Sequence, residues 1–457
     1  MSDQAAAPDF PLRHHRLYQW LRRASLLGSW LFILGVPLLH LRALASASGL
    51  STGGAWAQLA HWLDLRPAPP PALGAPWTVN LFGLELLDPL AGLGVLFSLS
   101  PSATVLLGLV PTVLLVALLG RFFCGWLCPY RTILAASNAL RALLPKAGFV
   151  PRDRPLPRRL SLWVLGTVLL LALLAGTQVA PVIYPPAVIA RSALRAIILG
   201  GLGTGALLIA LAFLFDTFVS RAGFCRYLCP GGALMTLIGA VSPVRVVRDA
   251  HRCTSCGACD QVCNLLQRPA TGQVGAGCER CGLCVAACAP RALRFSLARP
   301  SMPALAAPTV EERRLVLGAV PAIAVLAVWG RDVAKPLRLR PPRAAPGRDF
   351  AARCIRCQRC AEVCPPRAIR FDGQLDLRGT DTPYIDARLS ACTLCMRCTQ
   401  ACPTGALVPL AGNEDLTALQ RLVRMGKPIL DQKKCLPWNG DGICRACYYA
   451  CPYPDSA

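Results

Sequence analysis

Residues 253–288 read CTSCGACDQVCNLLQRPATGQVGAGCERCGLCVAAC, with eight cysteines in two groups of four. Cys253, Cys256, Cys259 and Cys263 follow the spacing C-x2-C-x2-C-x3-C, and Cys278, Cys281, Cys284 and Cys288 repeat it. In such a run three thiolates wrap one face of a 4Fe-4S cube and the fourth reaches a neighbouring cube. The tandem therefore predicts two clusters, one on Cys253, Cys256, Cys259 and Cys288, the other on Cys278, Cys281, Cys284 and Cys263. Small residues in the loops are expected to let backbone amides approach the sulfurs. Zinc ribbons use two separated C-x2-C hooks without third and fourth cysteines at these offsets, and cysteines this close are poorly placed to bridge one another.

The scheme returns in CIRCQRCAEVCPP (Cys354, Cys357, Cys360, Cys364) and CTLCMRCTQACP (Cys392, Cys395, Cys398, Cys402), where Pro365 and Pro403 follow each fourth cysteine. A fifth group, Cys435, Cys444, Cys447 and Cys451, has a widened first gap and no partner group. It either holds a cube on its own four thiolates or lacks a ligand. All 24 cysteines fall in short-spaced groups, which leaves none to act as a small buried hydrophobe. Two bacterial-type 4Fe-4S ferredoxin domains of α+β class are expected, at 246–300 and 350–457.

The remainder reads as membrane α-helical. The chain has 457 residues, 54% of them apolar and only 16% charged, and its mean hydropathy is +0.46. The net charge of +24 is spread between apolar segments and among cysteines, not gathered on one face with interleaved aromatics, so no nucleic-acid partner is expected. No apolar core with a small-residue cleavage site occupies the first twenty residues, so the first segment is expected to be kept. Four stretches reach the ~20 residues a bilayer requires, near 25–45, 103–121, 160–181 and 197–219, within a membrane domain at 1–245. Residues 80–99 are apolar but carry Glu85, Asp88 and a proline, and read as a re-entrant or interfacial element. Basic residues at the N-terminus, at 121–159 and before Cys253, against a single arginine in 46–79, put the N-terminus and 220–300 in the cytoplasm. A fifth stretch, RRLVLGAVPAIAVLAVWG at 313–330 within a segment 311–330, reads as a span, a surface helix or a core helix, and 331–349 as a Pro- and Arg-rich linker.

The second and fourth spans end in related motifs, RFFCGWLCPYR (121–131) and RAGFCRYLCPGG (221–232). Cys124 with Cys128, and Cys225 with Cys229, stand at i and i+4, so each pair faces one way on its helix, and Pro129 or Pro230 marks the boundary. The pairs could converge into a four-thiolate site for a metal or cluster, cycle between dithiol and disulfide, bind copper transiently, or pack beneath the ferredoxin. His40 and His61 have no second histidine at matching depth, which argues against haem.

This order of features resembles the NapH-type membrane subunit of quinol dehydrogenases that feed periplasmic nitrate reductase, a core shared with NosR, MauN and the assembly factor CcoG. The C-terminal third, with LRPPRA (339–344), DTPYIDAR (381–388) and CLPWNGDGICRACYYACP (435–452), resembles the MauM/NapG-type ferredoxin. The whole is similar to a NapH-to-NapG fusion in which RRLVLGAV (313–320) stands where the second partner's twin-arginine leader would be. The NapG pattern normally continues into a fourth ferredoxin motif, which these 457 residues do not include.

The resemblance implies an inner-membrane protein that oxidises quinol from the membrane pool. Electrons would pass along 4Fe-4S clusters to a redox partner such as a c-type cytochrome or a nitrate reductase-like system. Glu85 and Asp88 become candidates for taking the quinol protons, with a water-facing interfacial pair as the alternative. If 313–330 spans, the second ferredoxin is periplasmic and about 30 Å of hydrocarbon separates it from the first. The alternative function is a CcoG-like cupric reductase or assembly factor working through Cys124, Cys128, Cys225 and Cys229. An iron-sulfur sensor would need a DNA-binding module, and the sequence has none.

Overall fold

Leucine-rich stretches with few charges become helices, and the first is the longest. α1 (His15–Ala47) contains the expected 25–45 segment. Its Leu17–Leu39 portion is, among the described residues, the one helix long and apolar enough to cross a membrane. The computed structural model describes residues 15–47, 72–98, 103–297 except 152, 158, 202 and 273, then 338–371, 380–410 except 388, and 423, 425, 426 and 430–450. His61, the 313–330 stretch and Cys451 lie outside the described residues, as does the side chain of His40.

A three-stranded antiparallel meander follows: β1 (Ala72–Ala75), β2 (Thr78–Leu81) and β3 (Leu84–Leu87), with Ala75 opposite Thr78 and Leu81 opposite Leu84. Asp88 then caps α2 (Pro89–Phe97) by accepting from Leu90 N, with Pro89 in the first turn where it is tolerated. The non-spanning element expected at 80–99 is thus a hairpin strand leading into a buried helix. β3 lies along α3 (Ala103–Leu119), where the Thr112 hydroxyl donates to Leu87 O at 2.6 Å.

α4 (Phe122–Trp126) and the amphipathic α5 (Tyr130–Leu143) turn the chain beyond α3. α6 (Leu160–Ala175) stops short of the expected 181, because Gly176 is left-handed (φ 58) and closes the helix. An irregular segment with α7 (Ala180–Ile183) leads to α8 (Pro185–Leu199). The span expected at 197–219 is broken between Leu199 and Thr204; α9 (Thr204–Leu214) runs on through a π turn at Phe215–Val219. α3, α6 and the α9 segment hold 16 or 17 residues each, about 25 Å of helix. Their outward faces expose Leu107, Leu114, Leu118, Leu173, Leu207 and Leu211. A second π turn, Phe224–Leu228, precedes α10 (Pro230–Ile238).

The first ferredoxin module pairs β4 (Val244–Arg248) antiparallel with β5 (Leu293–Leu297) around α11 (Ala258–Gln261) and α12 (Leu283–Ala287). The second contains α13 (Arg348–Arg353), α14 (Arg359–Glu362), β6 (Ile369–Phe371) paired with β7 (Pro383–Ile385), and α15 (Arg397–Gln400). Residues 338–349 are part of this module and not a linker: Leu339 O accepts from Ile385 N, and Arg343 O from Val408 N. Residues 415–457 form a separate unit that includes α16 (Ala446–Ala450).

The two modules sit at opposite ends of the helices. At one end Tyr18, early in α1, donates to Arg280 O at 2.6 Å, Trp126 donates to the same oxygen at 3.2 Å, and Arg221, just past the α9 segment, reaches Gln261 O. At the other end Gln178, just past α6, donates to Ala352 O at 2.6 Å, and Arg195, which neighbours Gly203 at the start of α9, pairs with Asp381 at 2.6 Å. One apolar core runs between them, from Leu265 of the first module through the bundle to Ile355 of the second, with Cys357 packed against it.

Candidate metal centres

The four C-x2-C-x2-C runs share one backbone. In each, the residue before the second cysteine and the residue after it are left-handed: Ser255 and Gly257, Arg280 and Gly282, Arg356 and Gln358, Leu394 and Met396. Most of these are not glycine, so the loops are not made of small residues as expected. The left-handed turns curl successive N–H groups inward, forming a concavity suited to anionic sulfur. Further amides donate to the fourth thiols: Gln267 N to Cys263, Ala292 N to Cys288 and Leu407 N to Cys402, at 3.2–3.4 Å.

The thiols gather in the exchanged sets that the tandem spacing predicts. Cys253, Cys256, Cys259 and Cys288 line one cavity; Cys364, Cys392, Cys395 and Cys398 line another; each holds about 320 Å³ including its mouth. Cys284 lies close enough to Cys278 and Cys263 to feel their charge, and Cys357 to Cys402 and Cys354. Burial, with help from these neighbours, pushes the Cys284 thiol up to about 12, and burial opposed by Arg359 does the same for Cys357. Thiols that burial holds protonated ionise only where a cation offsets their charge, and an iron-sulfur core is such a cation. Among the described residues no three Cys, His, Asp or Glu side chains close on a point that a single ion could fill, as zinc requires with sulfur at about 2.3 Å. The donor set and the cavities fit a cube better than one ion.

The two C-x3-C-P pairs also converge. Cys124 lies in α4, Cys128 just after it, Cys225 in a π turn, and Cys229 caps α10, its sulfur accepting from Gly232 N at 3.3 Å. Together they line a cavity of about 410 Å³ including its mouth, with Arg121, Tyr130, Arg131, Tyr184 and Glu279 also in its wall. Arg121 donates to the Cys124 sulfur at 3.2 Å. Arg131 stands 3.3 Å from Glu279, both nearly fully buried. The first module presses directly on this elbow. A Cβ on Gly125 would lie 2.6 Å from Glu279 O and 3.4 Å from the Cys281 Cβ, so only glycine leaves room for the Cys278–Cys281 loop.

Glu85 and Asp88 serve different surroundings. Glu85 grips Arg359 of the second module with both oxygens at 2.8 Å and accepts from Asn80 at 2.7 Å. Asp88 is buried and accepts from the Tyr184 hydroxyl at 2.8 Å, and the Tyr184 ring lines the four-cysteine cavity. A parallel pair, Tyr130 donating to Asp216 at 2.8 Å, reaches the same cavity through Tyr130. Sequence reading did not single out Arg121, Tyr184 or Asp216, though an arginine three residues before Cys124 and an acid inside an apolar run were visible signals. Cys435, Cys444 and Cys447 lie in the 415–457 unit, the last two exposed.

A family described as a 4Fe-4S dicluster domain matches residues 353–406, and one described as a 4Fe-4S binding domain matches 102–146 and again 202–247. The latter two segments contain no cysteines besides Cys124, Cys128, Cys225 and Cys229. The chain is 38% identical over 183 residues to the methylamine utilization ferredoxin-type protein MauN of Methylorubrum extorquens, covering 39% of this chain and 61% of the relative. With MauN of Paracoccus denitrificans it shares 39% over 145 residues, 32% of this chain and 48% of the relative. It thus spans about half to three-fifths of these two relatives. Identity to the ferredoxin-type protein NapH of Escherichia coli is 34% over 217 residues, 45% of this chain and 72% of that protein. No solved structure matches. The chain belongs to the NapH/MauN family of ferredoxin-type proteins, with 4Fe-4S binding domains.

Proposed function

We propose that this chain is a multi-pass membrane protein that oxidises quinol and hands the electrons to a redox partner. The observation that carries the reading is the placement of the two ferredoxin modules at opposite ends of one helical bundle, with the four-cysteine cavity inside the core that joins them. The belt of exposed leucines on α1, α3, α6 and α9 supports insertion in a bilayer, since an apolar surface that size is costly in water. α1 supports it too, being long enough to cross. We place the first module in the cytoplasm, as the basic segments predict, and extend this reading to put the second in the periplasm, where it would meet its acceptor, a c-type cytochrome or another redox protein.

The clusters, when bound, supply one-electron transfer. Cys124, Cys128, Cys225 and Cys229 would hold one of them, in addition to the sets in the two modules. Quinol oxidation releases two protons with its two electrons, and Asp88 is the better placed acid to take one. Its Oδ2 holds the Tyr184 hydroxyl at the cavity, whereas both oxygens of Glu85 are committed to Arg359. Asp88→Asn is expected to slow quinol oxidation by about 10²-fold or more while iron content stays unchanged.

The test is anaerobic purification in detergent, iron and sulfide counts, and EPR after adding a reduced menaquinol or ubiquinol analogue. Reduced cubane signals growing in with quinol are the expected result. Filled clusters that ignore both quinols would remove the quinol reading and direct attention to copper reduction at the four-cysteine cavity.

A further inference from the structure

We propose that Arg121 sets the potential of the four-cysteine centre, raising it so that the centre can accept electrons from quinol. The inference rests on the reading above, that these thiolates hold a cluster. Arg121 is 6% exposed, and all three of its guanidinium nitrogens are engaged. Nε donates to the Cys124 sulfur at 3.2 Å, Nη2 to Cys225 O at 3.0 Å and Nη1 to the Thr236 hydroxyl at 3.4 Å. It therefore ties the first C-x3-C-P pair to the second and puts a buried positive charge against one ligand sulfur. Gly232 leaves the room for it, because a Cβ there would lie 2.5 Å from Nη2.

The charge at this spot matters for a physical reason. Four thiolates around an oxidised cube carry a net charge of about −2, and reduction adds another negative charge in a site packed against the apolar core. A guanidinium hydrogen-bonded to a ligand sulfur stabilises the reduced form more than the oxidised one. Quinols are weak reductants and ordinary ferredoxin cubes are hard to reduce, so a first acceptor needs such help. Arg131 faces the same cavity, but Glu279 stands beside it and cancels much of its charge. Glu279, the Tyr184-bound Asp88 and the Tyr130-bound Asp216 are the negative groups near the centre, and among the described residues neither these nor any other carboxylate lies within ion-pair distance of Arg121, so its charge is not offset as that of Arg131 is. Arg121 is a positioning residue, acting through the sulfur and not on quinol.

The test begins with Cys225→Ala, which removes the ligand and identifies the EPR species belonging to this centre as the one lost with its iron. That species is then titrated in the full-length wild type, Arg121→Gln, Arg121→Lys and Gly232→Ala, with iron and sulfide counted in each. Arg121→Gln is expected to keep its iron and shift the midpoint to lower potential, with Arg121→Lys recovering part of the shift. Gly232→Ala, which displaces the guanidinium but keeps its charge, is expected to shift it the same way by less. A wild-type midpoint in Arg121→Gln with iron retained overturns the inference. If Arg121→Gln loses iron, a wild-type midpoint in iron-replete Gly232→Ala overturns it instead. Should Cys225→Ala cost no iron, the cluster reading of this site fails, and the inference with it.

Discussion

At Gly125 a missing methyl group sets how closely the Cys278–Cys281 loop approaches the four-cysteine cavity. The glycine follows Cys124 directly, and its bare Cα lets the Cys278–Cys281 loop sit against the elbow. Gly125→Ala is expected to leave both centres loaded yet slow electron exchange between them by an order of magnitude or more, seen as delayed reduction of one cluster population in stopped-flow spectra. Unchanged rates would mean that the contact is packing alone. The left-handed residues of the cysteine runs lead to a second prediction. A non-glycine residue in that conformation costs about 1–2 kcal/mol. The first module relieves half of this with Gly257 and Gly282, whereas the second uses Gln358 and Met396 at the same positions. Once clusters are removed by a chelator under oxidation, amides of 354–360 and 392–398 should therefore exchange with deuterium before those of 253–259 and 278–284. The reverse order would show that the surrounding packing outweighs the backbone cost.

Between elements, the second module is held to the bundle by buried ion pairs. Arg359 is 1% exposed and meets Glu85 of β3, while Asp381 before β7 takes Arg195 and Arg191 of α8. Removing one partner of a buried pair strands the other, at about 3–5 kcal/mol when fully buried and less here because Glu85 is 26% exposed. Glu85→Gln should loosen the docking without emptying the clusters. Limited proteolysis of the purified protein would then cut within 338–410 faster, by several-fold, and an unchanged digestion rate would count against the latch. None of these pairings was legible in the sequence. Cysteine spacing is a local pattern, so the ligand runs and the thiol pairs could be read directly, as could the apolar helices. Glu85 and Arg359, by contrast, are 274 residues apart and neither carries a local signal of the other. The meander at 72–87 was hidden for a related reason: its strands hold four residues each, too few for alternation to stand out against the apolar surroundings. Helix ends were misjudged where hydropathy continues past a left-handed glycine, as at Gly176.

Across the whole molecule, the helices serve as a ruler. α1 touches Arg280 of the first module near its start and also packs against β1 and α14 of the second. Its Leu17–Leu39 portion spans about 34 Å at 1.5 Å per residue, close to the ~30 Å of a hydrocarbon core. The same helices that are too short to cross alone, at about 25 Å, are extended at one end by the meander and the 176–184 segment and at the other by the cysteine elbows. Irregular backbone of this kind is stable at membrane depth only where protein satisfies it, and both ends are capped by a ferredoxin module that does so. If the bundle crosses the bilayer, the modules at its two ends lie on opposite sides. In sealed inner-membrane vesicles of known orientation, protease added outside should therefore cut one of 244–297 and 338–410 and spare the other, with the pattern inverting in vesicles of opposite orientation. The four-cysteine cavity would then be the connection between two modules that share no aqueous compartment. Cleavage of both modules from the same face would place all the clusters on one side and would remove any need for electrons to cross the bundle.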